Sequence, residues 1–160
     1  MIDVREATRD DLSGLRAIGD DSAMFLGDEI EFFLTVASEA VDGGQEGSPI
    51  LRVATGTDPF TVEGAALFQS EAMAQGVANL LFVGALAASR GKGVGQALIE
   101  NFEAWARGGD HRLAIVETAS DDQFAPAWSL YERNGYEREA RVRDYYAPGT
   151  DKIVYRKALT

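Results

Sequence analysis

The residues of this chain best suited to chemistry form a glycine-rich turn, Arg90-Gly91-Lys92-Gly93-Val94-Gly95. An apolar run, 79–87, precedes the turn and an amphipathic pattern, 94–106, follows it, which predicts a strand, a turn and a helix in that order. The N-terminus of a helix presents free N–H groups at the positive end of the helix dipole, so such a turn suits an anionic phosphate group. The sequence therefore indicates a site for a phosphorylated cofactor.

The spacing of residues within the turn discriminates between three known phosphate-binding motifs. A Walker-type P-loop ends in Gly-Lys-Ser/Thr, whereas Lys92 is followed by glycine and valine. A dinucleotide-binding fingerprint needs a third small residue at a set position after its first two glycines. A larger residue occupies that position whether the count starts at the first or at the second glycine of the turn. The remaining pattern, Arg/Gln-x-x-Gly-x-Gly/Ala, is matched by Arg90, Gly93 and Gly95. A turn without a ligand is the alternative, but three glycines in five residues, each a conformational liability, disfavour it.

A second motif, Leu130 to Tyr136, reads Leu-Tyr-Glu-Arg-Asn-Gly-Tyr and begins 40 residues after Arg90. The two motifs together resemble the GCN5-related N-acetyltransferase (GNAT) family, whose late helix carries Leu-Tyr-x-x-x-Gly-Phe, and the resemblance covers the whole chain. Two departures, Ala87 for a common proline and Phe124 for a frequent asparagine, affect local cofactor contacts. Segments 116–120 and 143–152 are similar to bacterial members of unassigned substrate.

This resemblance implies acetyl-coenzyme A (acetyl-CoA) as the cofactor. The N–H groups of the turn would hold its pyrophosphate, and N–H groups near Ala85 and Leu86 would stabilise the carbonyl oxygen as charge develops. Tyr131 matches the tyrosine of the second motif and would donate a proton to the leaving thiolate, although the pattern alone, which places it on the apolar face of the helix, favours a core residue. The predicted cofactor-binding residues are Ala85, Leu86, Arg90, Gly91, Lys92, Gly93, Val94, Gly95 and Gln96.

Glu117 is the candidate general base, because an amine must lose a proton to attack. On the predicted strand 112–118 it shares a face with Leu113 and Ile115, since side chains alternate along a strand. A carboxylate in an apolar row is costly unless it has a partner, and burial would make it a better proton acceptor. If Glu117 instead faces solvent at the strand end, water or Asp144 would serve as the base.

Aromatic and acidic residues in two segments are candidates for binding an acceptor. Asp144 and Tyr145, with Tyr146, precede a Pro-Gly turn and could line an amine pocket in which the carboxylate holds a cation; a structured turn with aromatic packing is the alternative. Phe33, with Phe25 and Phe32, could wall an acceptor site between the early helices, with core packing as the alternative. The predicted substrate-binding residues are Phe33, Asp144 and Tyr145.

The composition is that of a soluble globular protein of one domain, 1–160, with 46% hydrophobic and 26% charged residues. The net charge of −11 makes nucleic acid an improbable partner and mildly favours a cationic acceptor. We expect no membrane segment, no secretory signal and a cytoplasmic location. His111 is the single histidine and there is no cysteine, so we expect no metal site and a solvent-facing turn residue at 111.

The elements that must position these residues follow from hydrophobic periodicity. The predicted strands are 2–6, 50–55, 60–69, 76–86, 112–118, 136–142 and 152–159; the predicted helices are one from Thr8 through Ile18, then 28–40, 94–107 and 121–133; loops are predicted at 42–49 and 146–150. The order β-α-α-β-β-β-α-β-α-β-β predicts an α/β domain with one sheet. The resemblance implies a mixed, mostly antiparallel, twisted sheet of about seven strands with four helices on both faces.

We therefore expect an amine N-acetyltransferase. Without cysteine a cysteinyl acyl-enzyme is excluded, so direct attack in a ternary complex is the simpler mechanism. The acceptor would be a small-molecule amine or a peptide, and the family resemblance makes a homodimer a possibility. The alternatives are a non-catalytic module that binds acyl-CoA, and a different nucleotide-binding enzyme.

Overall fold

A seven-stranded sheet forms the centre of the computed structural model, which describes residues 1–22, 25, 28–43 and 46–160. The strands are β1 (Asp3–Glu6), β2 (Ile50–Thr55), β3 (Val62–Ser70), β4 (Val77–Ala85), β5 (Leu113–Ala119), β6 (Glu137–Ala147) and β7 (Thr150–Ala158). The helices are α1 (Leu12–Asp21), α2 (Glu29–Asp42), α3 (Val94–Gly108) and α4 (Ala125–Arg133), with short 3-10 turns at Arg9–Asp11, Ala87–Ser89 and Asp122–Phe124.

The strand order is β1-β2-β3-β4-β5-β7-β6, and every neighbouring pair is antiparallel except β4 and β5. Helix α3 supplies the crossover that two parallel strands require. This arrangement confirms the predicted fold class of a mixed, mostly antiparallel sheet with helices on both faces.

Two hydrophobic clusters hold the helices against the sheet. One joins α3 and α4 to the sheet through residues such as Leu98, Phe102 and Tyr155. The other joins α1 and α2 to the opposite face through Leu15, Phe33 and their neighbours. In α3 the buried positions recur every three or four residues, as expected of a helix with one apolar face. The sheet therefore has two covered faces around its centre, and β4 is buried on both sides.

The N-terminal segment is joined to α1 by the carboxylate of Asp11. This buried carboxylate accepts hydrogen bonds from the Thr8 N–H at 2.7 Å and from two Arg5 nitrogens at 2.8 and 2.9 Å. The Arg5 hydrogen bonds lower the pKa of Asp11 against the opposing effect of burial. The predicted start of a helix at Thr8 is therefore a 3-10 turn at Arg9–Asp11, and α1 follows from Leu12.

The β6–β7 hairpin extends further than the sequence predicts, because β6 contains a bulge. Val142 pairs with Lys152, but Ala147 pairs with Thr150, so β6 has three residues more than β7 in this interval. Asp144 adopts a φ of 55° within the bulge, and its carboxylate accepts the Gly149 N–H at 2.8 Å. Consequently the segment 143–147, predicted to lie beyond the strand, belongs to β6, and β7 begins at Thr150.

Two other local predictions are corrected. His111 is buried rather than solvent-facing: its Nδ1 donates to the Ala106 carbonyl at 2.9 Å, its Nε2 lies 2.7 Å from the Ser70 hydroxyl, and its ring packs on Trp105. The segment 121–124 is not α-helical, because α4 begins at Ala125 with Pro126 in its first turn.

Part of the predicted loop 42–49 lies outside the described residues, at positions 44 and 45, and α2 continues to Asp42. Among the described residues, no helix has both the length and the apolar character needed to cross a bilayer.

Candidate active site

The two parallel strands at the centre of the sheet separate towards their C-terminal ends. They pair only from Val77 to Leu80 and from Leu113 to Val116, although β4 continues to Ala85 and β5 to Ala119. Within β4, Leu81 has no partner in the register with β3 and forms a bulge at the point of separation. A gap therefore opens between residues 81–85 and residues 117–119.

Backbone N–H groups of β4 face this gap. The Leu86 N–H donates to the Glu63 carbonyl at 2.9 Å, so it is already paired, and the prediction that it stabilises an oxyanion is wrong. In an antiparallel pair, alternate residues point their N–H groups towards and away from the neighbouring strand. The registers Ala85–Gly64 and Val83–Ala66 therefore direct the Ala85 and Val83 N–H groups away from β3 and into the gap.

The glycine turn follows the open end of β4 and presents a row of N–H groups. Gly91 and Gly93 have φ values of 75° and 87°, which L-residues with a side chain rarely adopt. The first helical hydrogen bond of α3 runs from the Ala97 N–H to the Gly93 carbonyl, so the preceding N–H groups have no partner within the helix. No acidic side chain lies in the first turn of α3. The turn therefore suits an anion, as the sequence predicts.

Arg90 and Lys92 differ in their surroundings. The Arg90 guanidinium donates to the Asp21 carbonyl at the end of α1, and the Asp21 carboxylate accepts the Ala87 N–H at 2.8 Å. These contacts attach the turn to α1. Lys92 is exposed and contributes positive charge beside the N-terminus of α3.

The two sequence motifs touch each other at the start of α3. A Cβ atom on Gly95 would lie 2.8 Å from Leu130 Cδ2, so glycine here permits the close approach of α4. The Gln96 and Asn134 side-chain amides form a reciprocal pair, with N···O distances of 2.8 and 2.9 Å. The Gln96 side chain therefore joins the helices, and only its backbone N–H could take part in anion binding.

Tyr131 lies on α4, in the cluster that joins α3, α4 and the sheet. Its side chain is 4% exposed, and burial raises the pKa of its hydroxyl. In the described part of the chain its hydroxyl has no hydrogen-bond partner. Trp128, on the same helix, donates to the Ala119 carbonyl at 3.1 Å and so ties α4 to the open end of β5.

Glu117 is the first residue of β5 beyond its pairing with β4, and its carboxylate has a partner. Its Oε2 lies 2.9 Å from Lys152 Nζ, and that ammonium also lies 4.2 Å from the centre of the Tyr145 ring. Burial lowers the pKa of Lys152, but the hydrogen bond and charge of Glu117 outweigh burial, so the pKa is raised. Glu117 alternates with buried residues along β5 and shares the less buried face with Leu113 and Ile115, as predicted.

A cavity of about 480 Å³ lies at the gap, on the face that carries Glu117. Carboxylates, an amide and aromatic rings contribute to its walls. Its lining residues are Phe25, Glu29, Asn79, Leu80, Leu81, Glu117, Ala119, Asp121, Gln123, Phe124, Tyr146 and Ala147. The bulge in β6 brings Tyr146 into this set, where burial raises the pKa of its hydroxyl.

The predicted substrate-binding residues lie around the cavity rather than in its wall. Phe33 is buried and packs against Phe25 and Phe82 with ring centres 4.8 and 4.7 Å apart, so it belongs to the core. Asp144 uses its carboxylate within the β6–β7 hairpin. Tyr145 packs under Lys152 and edge-on to its neighbour in the sequence.

Sequence reasoning missed Asn79, Lys152 and the acidic rim formed by Glu29 and Asp121. Asn79 had a signal, because it is a polar residue at the start of an otherwise apolar run. No local sequence pattern indicates a role for Lys152, since its proximity to Glu117 depends on the pairing of β5 with β7.

Comparison with known proteins agrees with this geometry. A family model described as an acetyltransferase (GNAT) domain matches residues 60–138, which include the glycine turn, Glu117 and Tyr131. No curated protein matches the chain by sequence.

Solved structures resemble the whole chain. A protein from Desulfovibrio desulfuricans, described as a GNAT-family acetyltransferase, has a TM-score of 0.90 at 24% identity, with 100% of both chains covered. The ribosomal-protein-S18-alanine N-acetyltransferase from Escherichia coli has a TM-score of 0.78 at 18% identity, over 100% of this chain and 95% of that one. NAA60 from Arabidopsis thaliana, solved in complex with acetyl-CoA, has a TM-score of 0.78 at 20% identity, over 99% and 98%.

The family model covers the segment that carries both motifs, and the similarity to the Desulfovibrio desulfuricans structure extends over the full length of both chains. Residues 60–138 therefore match a GNAT acetyltransferase domain, and the whole chain has the fold of GNAT structures.

Proposed function

We propose that this protein transfers the acetyl group of acetyl-CoA to an amine by direct attack in a ternary complex. The observation that carries the proposal is the gap between β4 and β5, which has an anion-binding turn at one end and an acid-lined cavity on one face. A donor with a pyrophosphate and an extended arm fits the first feature, and a basic acceptor fits the second.

The donor side rests on backbone groups. N–H groups of the Gly91–Gly95 turn would bind the pyrophosphate, with Lys92 nearby as a counter-charge. The Ala85 and Val83 N–H groups would hydrogen-bond to groups of the donor in the gap, including the thioester oxygen. Such donors are in place before reaction, so they stabilise a developing oxyanion without reorganisation.

The chemical step breaks one bond and forms another. The nitrogen lone pair forms a bond to the thioester carbon, the amine proton passes to Glu117 directly or through water, and the C–S bond breaks to release the thiolate. The Glu117 carboxylate keeps its orientation through Lys152, whose ammonium contacts Oε2 and leaves Oε1 to face an acceptor.

Tyr131 would act on the leaving group as a hydrogen-bond donor. Burial raises its pKa well above the roughly 8.5 of an ordinary thiol, so complete transfer of its proton to a thiolate is uphill. A hydrogen bond from a neutral hydroxyl to a charged sulfur stabilises the charge without that transfer. Raising the pKa therefore keeps Tyr131 protonated and available as a donor at neutral pH.

The ion pair of Glu117 with Lys152 favours a second candidate function, a module that binds acyl-CoA without turnover. The ammonium of Lys152 occupies Oε2 of Glu117, so that oxygen is not free to take a proton from an amine. Such a module would keep the turn and the gap but have no need of a base.

The experiment measures thiol release from acetyl-CoA against primary amines, amino acids and peptides with a free N-terminus, together with the Kd of coenzyme A from calorimetry. The transferase proposal expects cofactor binding and acetylation of at least one acceptor, confirmed by mass spectrometry. Binding without turnover across the panel would support the second candidate, and absence of binding would overturn both.

A further inference from the structure

Asn79 has a buried amide oxygen without a partner. The side chain is 5% exposed, and its Oδ1 has no hydrogen bond in the described part of the chain. Burying an amide oxygen without a hydrogen bond costs free energy. Two other buried atoms share this condition, Arg52 Nε and Asn101 Oδ1, but only Asn79 lines the cavity at the gap.

The orientation of this amide is determined by Glu71. The Asn79 Nδ2 donates to Glu71 Oε1 at 2.6 Å. An ionised carboxylate only accepts hydrogen bonds, so the amide nitrogen must face Glu71 and the amide oxygen must point away from it. A flipped amide would place two acceptors against each other. The unpartnered group is therefore an acceptor, and a hydrogen-bond donor bound in the cavity would satisfy it.

The sheet places Asn79 next to the candidate base. Asn79 pairs with Ile115, and Glu117 lies two residues further along β5, on the same face. With strands about 4.8 Å apart and a rise of about 3.3 Å per residue, the Cα atoms of Asn79 and Glu117 are about 8 Å apart. This separation leaves room for one small group between the two side chains. Strand pairing ends at Leu80, so the two residues flank the base of the gap.

Most of the other polar groups in this wall are acceptors. Glu29 and Asp121 contribute carboxylates, which only accept, whereas Gln123 and Tyr146 can also donate. The nearby ammonium of Lys152 is already paired with Glu117. A ligand that supplies hydrogen-bond donors therefore complements most of this wall. A neutral primary amine has two N–H groups and one lone pair. Asn79 and Glu117 would each accept one N–H, and the lone pair would remain for a thioester carbon.

We propose that Asn79 is a specificity-determining residue of the acceptor cavity, whose Oδ1 accepts one N–H of a primary amine while Glu117 accepts the other. This inference rests on the proposed transferase function. With both N–H groups engaged, the lone pair points towards the thioester carbon. A secondary amine has one N–H and cannot satisfy both residues, so Asn79 selects primary over secondary amines.

The test compares primary amines with their N-methyl derivatives in the thiol-release assay. The probes are phenethylamine, putrescine and alaninamide, each paired with its N-methyl analogue, and the variant is Asn79→Leu, which has a similar volume and no polar atom. We expect KM for the primary amines to rise about tenfold, in line with loss of one hydrogen bond, while KM for the N-methyl analogues changes less than twofold. The KM for acetyl-CoA should stay the same.

Asn101→Leu is the matched control, because it removes another unpartnered buried amide away from the cavity. It should leave the ratio between primary and secondary amines unchanged. If Asn79→Leu does not fold, Asn79→Ala, which introduces no larger group, provides the same comparison. An unchanged ratio in the Asn79 variants, with wild-type turnover intact, would overturn this inference alone. Wild-type protein that binds coenzyme A but acetylates none of the probes would overturn the transferase function together with it.

Discussion

At the scale of single residues, the candidate site combines groups that are individually unremarkable in type but unusual in environment. Among the described residues, Tyr131 is a buried tyrosine whose hydroxyl forms no hydrogen bond, the Asn79 amide oxygen has no partner, and Glu117 is held by Lys152. Each of these environments implies a charge or hydrogen-bonding property of the side chain that a variant can test.

The first prediction concerns Tyr131. Tyr131→Phe removes only the hydroxyl, so we expect kcat to fall about 10- to 100-fold, the effect of losing one hydrogen bond to a charged group. The KM for acetyl-CoA and the thermal stability should change little, because that hydroxyl has no partner in the described residues. Stopped-flow detection of thiol release on an identified acceptor measures the change. An unchanged kcat would assign Tyr131 to the core alone.

The second prediction concerns the ion pair. Glu117→Gln removes the largest influence that raises the pKa of Lys152. Burial, which lowers this pKa, is then opposed only by the smaller effect of Tyr145, so the pKa of Lys152 should fall. In the wild type this raised pKa means that the pair stabilises the fold at neutral pH and that the contribution disappears as pH rises through it.

The chain has three lysines, so ¹³C-dimethyl lysine NMR can follow each ammonium separately. Lys157 is the internal control, because its ammonium contacts Glu103 at 2.7 Å and not Glu117. A Lys152 titration unaffected by Glu117→Gln would show that the two side chains are not paired in solution.

At the scale of elements, the glycine turn and α4 are held by different physical constraints. Gly91 and Gly93 are needed for their positive φ, whereas Gly95 is needed for the approach of Leu130. One motif of three glycines therefore serves two purposes, and the second purpose belongs to the contact between α3 and α4. A substitution at each kind of position should have a different signature.

Gly91→Ala should distort the turn, because nothing lies within 4 Å of the new Cβ but the φ of 75° disfavours alanine by roughly 1 kcal/mol. We expect the Kd of coenzyme A to rise about tenfold as the N–H groups lose their alignment. Gly108→Ala, also with an open Cβ position but at the end of α3, is the control and should leave the Kd unchanged. Isothermal titration calorimetry distinguishes the two outcomes. Equal Kd values in both variants would remove the turn from the cofactor site.

At the scale of the whole molecule, acid stability provides a test of the N-terminal attachment. The pKa of Asp11 is lowered in the fold by its Arg5 hydrogen bonds, so its contribution to stability is present above the unfolded pKa of about 3.9 and is lost as pH falls through the lowered value. Asp11→Asn keeps an acceptor for the Thr8 N–H but removes the charge that strengthens the Arg5 hydrogen bonds. It should therefore lower the free energy of unfolding at pH 7 by about 1 kcal/mol. The difference should shrink below about pH 4, as the wild-type carboxylate becomes protonated. Urea unfolding across this range measures it, with exposed Asp10→Asn as the control.

Most of the fold could be predicted from the sequence, because seven strands and four helices leave clear periodic patterns. The end of β6 could not, since the bulge depends on hydrogen bonds of Asp144 to Gly149 and Asp151. The burial of His111 depends on Trp105 and Ser70, and neither contact has a local signature.

The candidate site was predictable where a motif carried it and unpredictable where pairing across the sheet decided it. The turn and Tyr131 were recognised from adjacent residues. The pairing of the Leu86 N–H with Glu63 depends on the register of β3 with β4, and the pairing of Glu117 with Lys152 depends on that of β5 with β7. Registers of this kind join segments that are distant in the chain, and the sequence of one strand does not indicate which residues of the other strand it pairs with.

The amide pair between Gln96 and Asn134 has a consequence for the length of the donor. Together with the contact of Gly95 and Leu130, it fixes the span between the glycine turn and the hydroxyl of Tyr131. The two helices therefore hold the turn and this hydroxyl at a constant distance from each other. In the proposed reaction, a donor whose arm is too short to bridge this span would bind by its phosphates but leave its sulfur away from Tyr131. The protein would therefore select against short donors before the chemical step.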